Sequence, residues 1–153
     1  MTVKICDTAF DPFVEIQNFQ NQLALNGKFG ATSIFIGTMR DFNEGDDVQM
    51  MTLEHYDGMT QKQLAKIITA AKTQWQILDC LIVHRVGGIS PNEPIVLVVV
   101  WSAHRGEAFD ACRYLMEELK ANAPFWKLET LVTNESRWVS KAVFNLKNNR
   151  PLA

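Results

Sequence analysis

Seven basic residues, Arg40, His84, Arg85, His104, Arg105, Lys120 and Lys127, fall at the ends of the elements this sequence predicts, where side chains can reach a ligand. Their shared chemistry is anion binding. A guanidinium grips phosphate or carboxylate through paired N–H groups, and an ammonium acts as a point charge or, once deprotonated, as nucleophile or base. Lys120 and Lys127 lie on either side of Pro124. A tight turn there folds the end of one element against the start of the next and brings the two ammonium groups together. Like charges so held favour loss of a proton from one of them, while the other holds an anion. Each lysine taken alone has an ordinary role: Lys120 as partner of a helix C-terminus, Lys127 as ion-pair partner of Glu129, which shares its strand face.

His104 and Arg105 are expected in the first turn of a helix, where the backbone dipole disfavours a cation by about 0.3–1 kcal/mol. A bound phosphate would reverse that penalty, being drawn by the exposed N–H groups and by both side chains. Pairing with Glu107 is the plainer alternative. Fifteen residues separate Arg105 from Lys120, roughly 22 Å along a helix at about 1.5 Å per residue. One small ligand cannot touch both. If both pairs serve one site, the His104–Arg105 end comes from a second copy of the chain, which implies a homodimer with shared sites.

Other chemistry finds little support. His55, His84 and His104 form no HxxxH or HExxH pattern, so no metal site is expected. There is no GxGxxG or GxxxxGK, and no serine stands in a nucleophile elbow. Cys6, Cys80 and Cys112 form no CxxC pair, leave an odd one over and sit among apolar neighbours, which reads as buried, reduced thiols; only Cys112, beside Arg113, approaches an electropositive setting. Phe125 and Trp126 can wall a flat heterocycle or simply pack in the core.

The elements that must position these residues read as an α+β chain. VKICDTAF is a short strand; Asp11-Pro12 starts a helix expected to end near Asn26-Gly27. The strand ATSIFIGTMR runs into a mobile acidic loop, DFNEGDD, and is expected to pair antiparallel with the following strand VQMMTLEHY. Leu64, Ile67, Ile68, Ala71 and Trp75 mark one face of a helix over 58–75, with Thr60 and Gln63 as a capping box. ILDCLIVHRVG and PIVLVVVWS are strands joined by GISPNE; seven successive apolar residues in the second imply burial on both faces and a central place. Ser102 is expected to cap a third helix, with inner face Ala108, Cys112, Leu115, Met116 and Leu119, ending before Pro124. FWKLETLVT is the last strand. Residues 1–139 read as one domain, and residues 140–153 as a polar tail, loosely attached or ordered by a partner. Repeats and low-complexity segments are absent.

The 153 residues suffice for one well-buried core without metal or disulfide, and 47% hydrophobic with 21% charged residues is a globular composition. A net charge of −2 argues against a broad nucleic-acid surface, so any basic site is local. The N-terminus lacks a basic region followed by a long apolar core, and no stretch is long enough to span a membrane, which places the chain in the cytoplasm by default.

FIGTMRDFNEG, LEHYDGM, IVHRVG, SAHRGEAFDAC, the LK before a proline, and PFWKLE leading to RWV occur in this order from Gly30 to Val139. Together they resemble the large, catalytic subunit of molybdopterin synthase. The resemblance implies an α/β hammerhead-type fold with an added antiparallel β subdomain, working as a homodimer with a small ubiquitin-like sulfur-carrier subunit at each end. It implies that the carrier's Gly-Gly tail, ending in a thiocarboxylate, inserts into a pocket and gives sulfur to cyclic pyranopterin monophosphate, forming the molybdopterin dithiolene with no further cofactor. By position, Lys120 and Lys127 would be the essential lysines and Arg40 a pocket residue, with His104 and Arg105 an anion-binding pair from the other protomer. Phe35 and Met116 would line the pocket, Glu129 would support Lys127, and Lys141 stands where a further basic pocket residue is expected. The turn SPNEP and the step Ala123-Pro124-Phe125 depart from the family pattern without touching these positions. Two rival readings need only the same basic residues: a non-catalytic module that docks an acidic peptide tail, and another enzyme on this scaffold acting on a different phosphorylated heterocycle.

Overall fold

The computed structural model describes residues 2–139 and, beyond them, the backbone of two short strands at 143–145 and 150–152. Its first sheet holds β1 (Thr2–Cys6), β5 (Ile77–Arg85), β7 (Pro94–Ser102) and β2 (Ala31–Thr38), in the order β1-β5-β7-β2, with β1 parallel to β5 and the remaining pairs antiparallel. The apolar run of β7 is central, as its sequence requires. Leu97, Val99 and Trp101 face α1 (Pro12–Gln22), where Trp101 Nε1 donates to Gln20 Oε1 at 3.1 Å and its ring lies 5.2 Å from that of Phe19. Val96, Val98 and Val100 face α2 (Met59–Gln74) and α3 (Arg105–Asn122), meeting Leu64, Ile68, Ala111 and Leu115. Alternation along one strand thus fills two cores.

The second sheet is antiparallel: β3 (Phe42–Asn43), β4 (Asp46–His55), β8 (Phe125–Leu131) and β9 (Ser136–Val139) in that order, with β6 (Gly87–Ile89) also paired to β4. Its own small core is Met39, Val48, Met51, Leu53, Ile89 and Leu131, and Ile95 packs against both this cluster and the first. The acidic stretch expected as a mobile loop is instead the β3–β4 hairpin. Glu44 (φ 52°) and Gly45 (φ 83°) form a two-residue loop with both residues left-handed, the turn whose twist matches the flanking strands.

Several expectations are corrected. The strands at 31–38 and 46–55 are not a pair: β2 joins β7 and β4 joins β8, because the central run of β7 needs a neighbour along each edge while β4 buries one face only. The first helix ends at Gln22, where Leu23 turns extended and packs on the sheet; Gly27 serves a separate turn closed by Lys28 N–H to Leu25 O at 3.0 Å. The capping box of α2 lies two residues earlier than expected: Gly58 N–H donates to Gln61 Oε1 at 2.6 Å, and Thr60 is buried inside the helix. Ser102 ends β7 rather than capping α3, whose N-cap is His104; the Ser102 hydroxyl accepts from His104 N–H at 3.4 Å. The last expected strand is β8, which stops at Leu131, and a further strand not expected from the sequence, β9, follows after a turn at 132–135. The tail carries β10 (Val143–Asn145) paired antiparallel to β11 (Arg150–Leu152); the rest of the expected tail, Lys141 included, lies outside the described residues. Among the described residues, no helix is long and apolar enough to cross a membrane.

Candidate active site

Strand alternation on β8 sends Phe125, Lys127 and Glu129 to one side of the second sheet, opposite Leu53 and Met51 of β4 in the ladder. Trp126 goes to the other side, where its ring meets Tyr56 edge-on at 4.9 Å. The last turns of α3 present Met116, Leu119 and Lys120 to the same space, as residues three and four apart on a helix must. The end of β2 adds Phe35, Gly37 and, just beyond it, Arg40. A cavity of about 530 Å³ lies at this seam, lined by all of these except Trp126 and Tyr56, together with Asn43 and His84.

The join between α3 and β8 is short. Ala123, fully buried, closes the helix through its N–H to Leu119 O at 3.3 Å, and its carbonyl accepts from Phe125 N–H at 2.9 Å. This short step leaves both Lys120 and Lys127 lining the cavity. Lys127 Nζ stands 3.6 Å from Glu129 Oε2. Glu129, only 2% exposed, accepts from Asn43 Nδ2 at 3.1 Å on both oxygens and from Arg137 Nε at 3.1 Å. Arg137 in turn donates to Asp46 Oδ2 at 2.7 Å and to Asn43 O at 3.0 Å, tying the β3–β4 hairpin to the floor beneath Lys127. Arg40 lies over the ring of Phe42, 4.8 Å from its centroid.

Of the residues singled out from the sequence, Arg40, Phe35, His84, Met116, Lys120, Lys127 and Glu129 line this cavity. His104 and Arg105 do not; they are exposed at the opposite end of α3. Arg85 is also elsewhere, bound to Glu93 Oε2 and Gly88 O, each at 2.9 Å, where it braces the turn before β7. Phe125 contributes its ring to the wall and Trp126 does not. Asn43 and Arg137 went unrecognised: Arg137 is opposite Glu129 across β8 and β9, and that pairing becomes visible only once the register is known. Burial raises the pKa of all three thiols, Cys80 to about 11, so none has the lowered pKa of a reactive cysteine; Cys6, though, is only half-buried. Among the described residues no cluster of three His, Cys, Asp or Glu side chains is placed to hold a metal ion.

Fold and site together define a small α+β protein with a cation-lined, half-open cavity where a helix end meets an antiparallel sheet. Comparison with known proteins then supplies the family. The MoaE protein family matches residues 10–122. A molybdopterin synthase catalytic subunit of Ralstonia nicotianae is 46% identical over 142 residues, 93% of this chain and 78% of that protein. Among solved structures, the molybdopterin biosynthesis MoaE protein from Burkholderia ambifaria superposes with a TM-score of 0.77 at 40% identity, covering 95% of this chain and 93% of the other. The molybdopterin synthase structure from Staphylococcus aureus gives 0.79 at 28%, covering 90% and 96%. The chain belongs to the MoaE family, that of the molybdopterin synthase catalytic subunits.

Proposed function

We propose that this chain is the catalytic subunit of a molybdopterin synthase, a sulfurtransferase that moves sulfur from the C-terminal thiocarboxylate of a small carrier subunit to cyclic pyranopterin monophosphate. The observation that carries the reading is the convergence of Arg40, Lys120 and Lys127, from three different elements, on one cavity of about 530 Å³ in a member of this family. Such a volume suits a small heterocycle and the end of a peptide tail. Both reactants are anionic, and sulfur transfer from an acyl thiocarboxylate requires neither a metal nor an enzyme thiol. Positioned cations are what it needs: one lysine assists attack or proton transfer at the pterin side chain, and the other stabilises the charge that develops. Glu129 orients Lys127, while Phe35, Met116 and Phe125 supply apolar walls.

The exposed His104–Arg105 end of α3, roughly 22 Å from Lys120 by helix rise, completes the site of a second copy. The working assembly is thus a homodimer of this chain with a Gly-Gly-tailed, ubiquitin-like carrier at each end, a cytoplasmic heterotetramer. Lys141, by its position in the sequence, is a further basic residue assigned to the pocket.

Reconstitution tests the activity directly. Purified chain, thiocarboxylated carrier and cyclic pyranopterin monophosphate are expected to yield the dithiolene, and carrier ending in an ordinary carboxylate to yield none. Tight binding of both reactants without product would make the chain a docking module instead.

A further inference from the structure

His84 lies at the end of β5, buried at 8% exposure, and lines the cavity although the proposed sulfur transfer does not use it. Its imidazole stacks on Phe125 with ring centroids 3.9 Å apart and planes 12° from parallel. Its Nδ1 lies 2.8 Å from the carbonyl oxygen of Arg85. A carbonyl has no proton to give, so Nδ1 carries the hydrogen, which fixes both the tautomer and the plane of the ring. Arg85 is itself pinned by its bonds to Glu93 and Gly88. A run of anchors therefore leads from the turn before β7, through Arg85 and His84, to Phe125. That residue sits inside the four-residue step, 123–126, between the end of α3 and Lys127, and its ring centroid lies 6.5 Å from that of His55.

We propose that His84 is a positioning residue for the reaction: stacked on Phe125, it fixes the step from α3 to β8 and so the separation of Lys120 from Lys127. An aliphatic side chain would fill the volume but offer no flat face to Phe125. The flat ring is what positions Phe125, and the bond from Nδ1 to the Arg85 carbonyl helps hold that ring at its angle. Burial pushes its pKa down to about 4, so the face offered to Phe125 is neutral at physiological pH. The inference rests on the catalytic role of the two lysines proposed above.

The test uses the reconstituted assembly with four variants. His84→Ala is expected to lower kcat by about tenfold or more while KM moves less than about threefold, because a displaced catalytic group loses rate rather than ground-state binding. His84→Phe, which keeps a flat ring, is expected to stay within about threefold of the parent kcat. Phe125→Leu should reproduce the His84→Ala pattern, and the double variant should be little worse than either single one, since both remove the same contact. Parent-like kcat per folded active site in His84→Ala, or in Phe125→Leu where His84→Ala fails to fold, overturns the proposal. So does His84→Phe as slow as His84→Ala. Lys127→Ala, assayed alongside, separates the two ideas: if it keeps its rate, the lysine mechanism falls, whereas a dead Lys127→Ala beside a fully active His84→Ala removes only the role of His84.

Discussion

Lys127→Ala is expected to lower the rate of dithiolene formation by about a hundredfold to ten-thousandfold, the range for losing a group that moves a proton or meets developing charge. The change takes little from the fold, because the Lys127 side chain is 36% exposed and its ionic contact among the described residues, with Glu129, is 3.6 Å long. Glu129 keeps Asn43 and Arg137 when the lysine is gone. A near-parental melting temperature with a collapsed kcat is the expected pair of results, read from thermal unfolding and from product formation with thiocarboxylated carrier. Lys127→Arg is expected to rescue binding more than turnover, since a guanidinium keeps the charge but does not give up its proton.

The second large effect concerns the network beneath that lysine, where the more damaging substitution is not the one that removes the buried residue. Glu129→Ala takes away the carboxylate and leaves Arg137 and Lys127, 27% and 36% exposed, free to rehydrate. The cost is about 1–3 kcal/mol for the lost charged hydrogen bonds, a fall in melting temperature of roughly 2–4 °C for each kcal/mol. Arg137→Ala instead leaves the carboxylate at 2% exposure with, among the described residues, Asn43 and the longer 3.6 Å contact to Lys127 as partners. An under-compensated buried charge costs more than an absent one, so Arg137→Ala is expected to melt lower than Glu129→Ala. Both should lose activity on the order of tenfold, since the Lys127 ammonium is no longer oriented. Calorimetry or circular dichroism ranks the two; Arg137→Ala melting at or above Glu129→Ala would mean that the network contributes nothing through Glu129.

Much of this site can be read from residue order because it is assembled locally. Lys120, Pro124 and Lys127 span eight residues, and a helix end, a proline and a strand start leave few ways to connect them. The apolar run at 95–101 announces a central strand for the same reason: only burial on both faces tolerates it. The pairing of β2 with β7 rather than with its neighbour in sequence is a tertiary choice. It depends on which sheet each strand's buried face can join, and alternation alone does not decide that. Asn43 and Arg137 escaped notice, and His84 was read only as a basic residue at a strand end, because their significance lies in contacts across 86, 8 and 41 residues: with Glu129 for the first two, and with Phe125 for the third. Helix boundaries shifted for a different reason. Gly27 and Ser102 carry strong stop and start chemistry that the chain spends on a turn and a strand end instead.

The central claim is that one reaction site is made from the Lys120–Lys127 wall of one copy and the His104–Arg105 helix start of another. Mixing inactive Lys127→Ala chains with inactive Arg105→Ala chains, allowing dimers to exchange, and assaying dithiolene formation tests it most directly. Random pairing makes half the dimers mixed, and each mixed dimer has one intact shared site, so recovery of about a quarter of parental activity is expected. Activity no greater than the average of the two parents after full exchange would contradict a shared site.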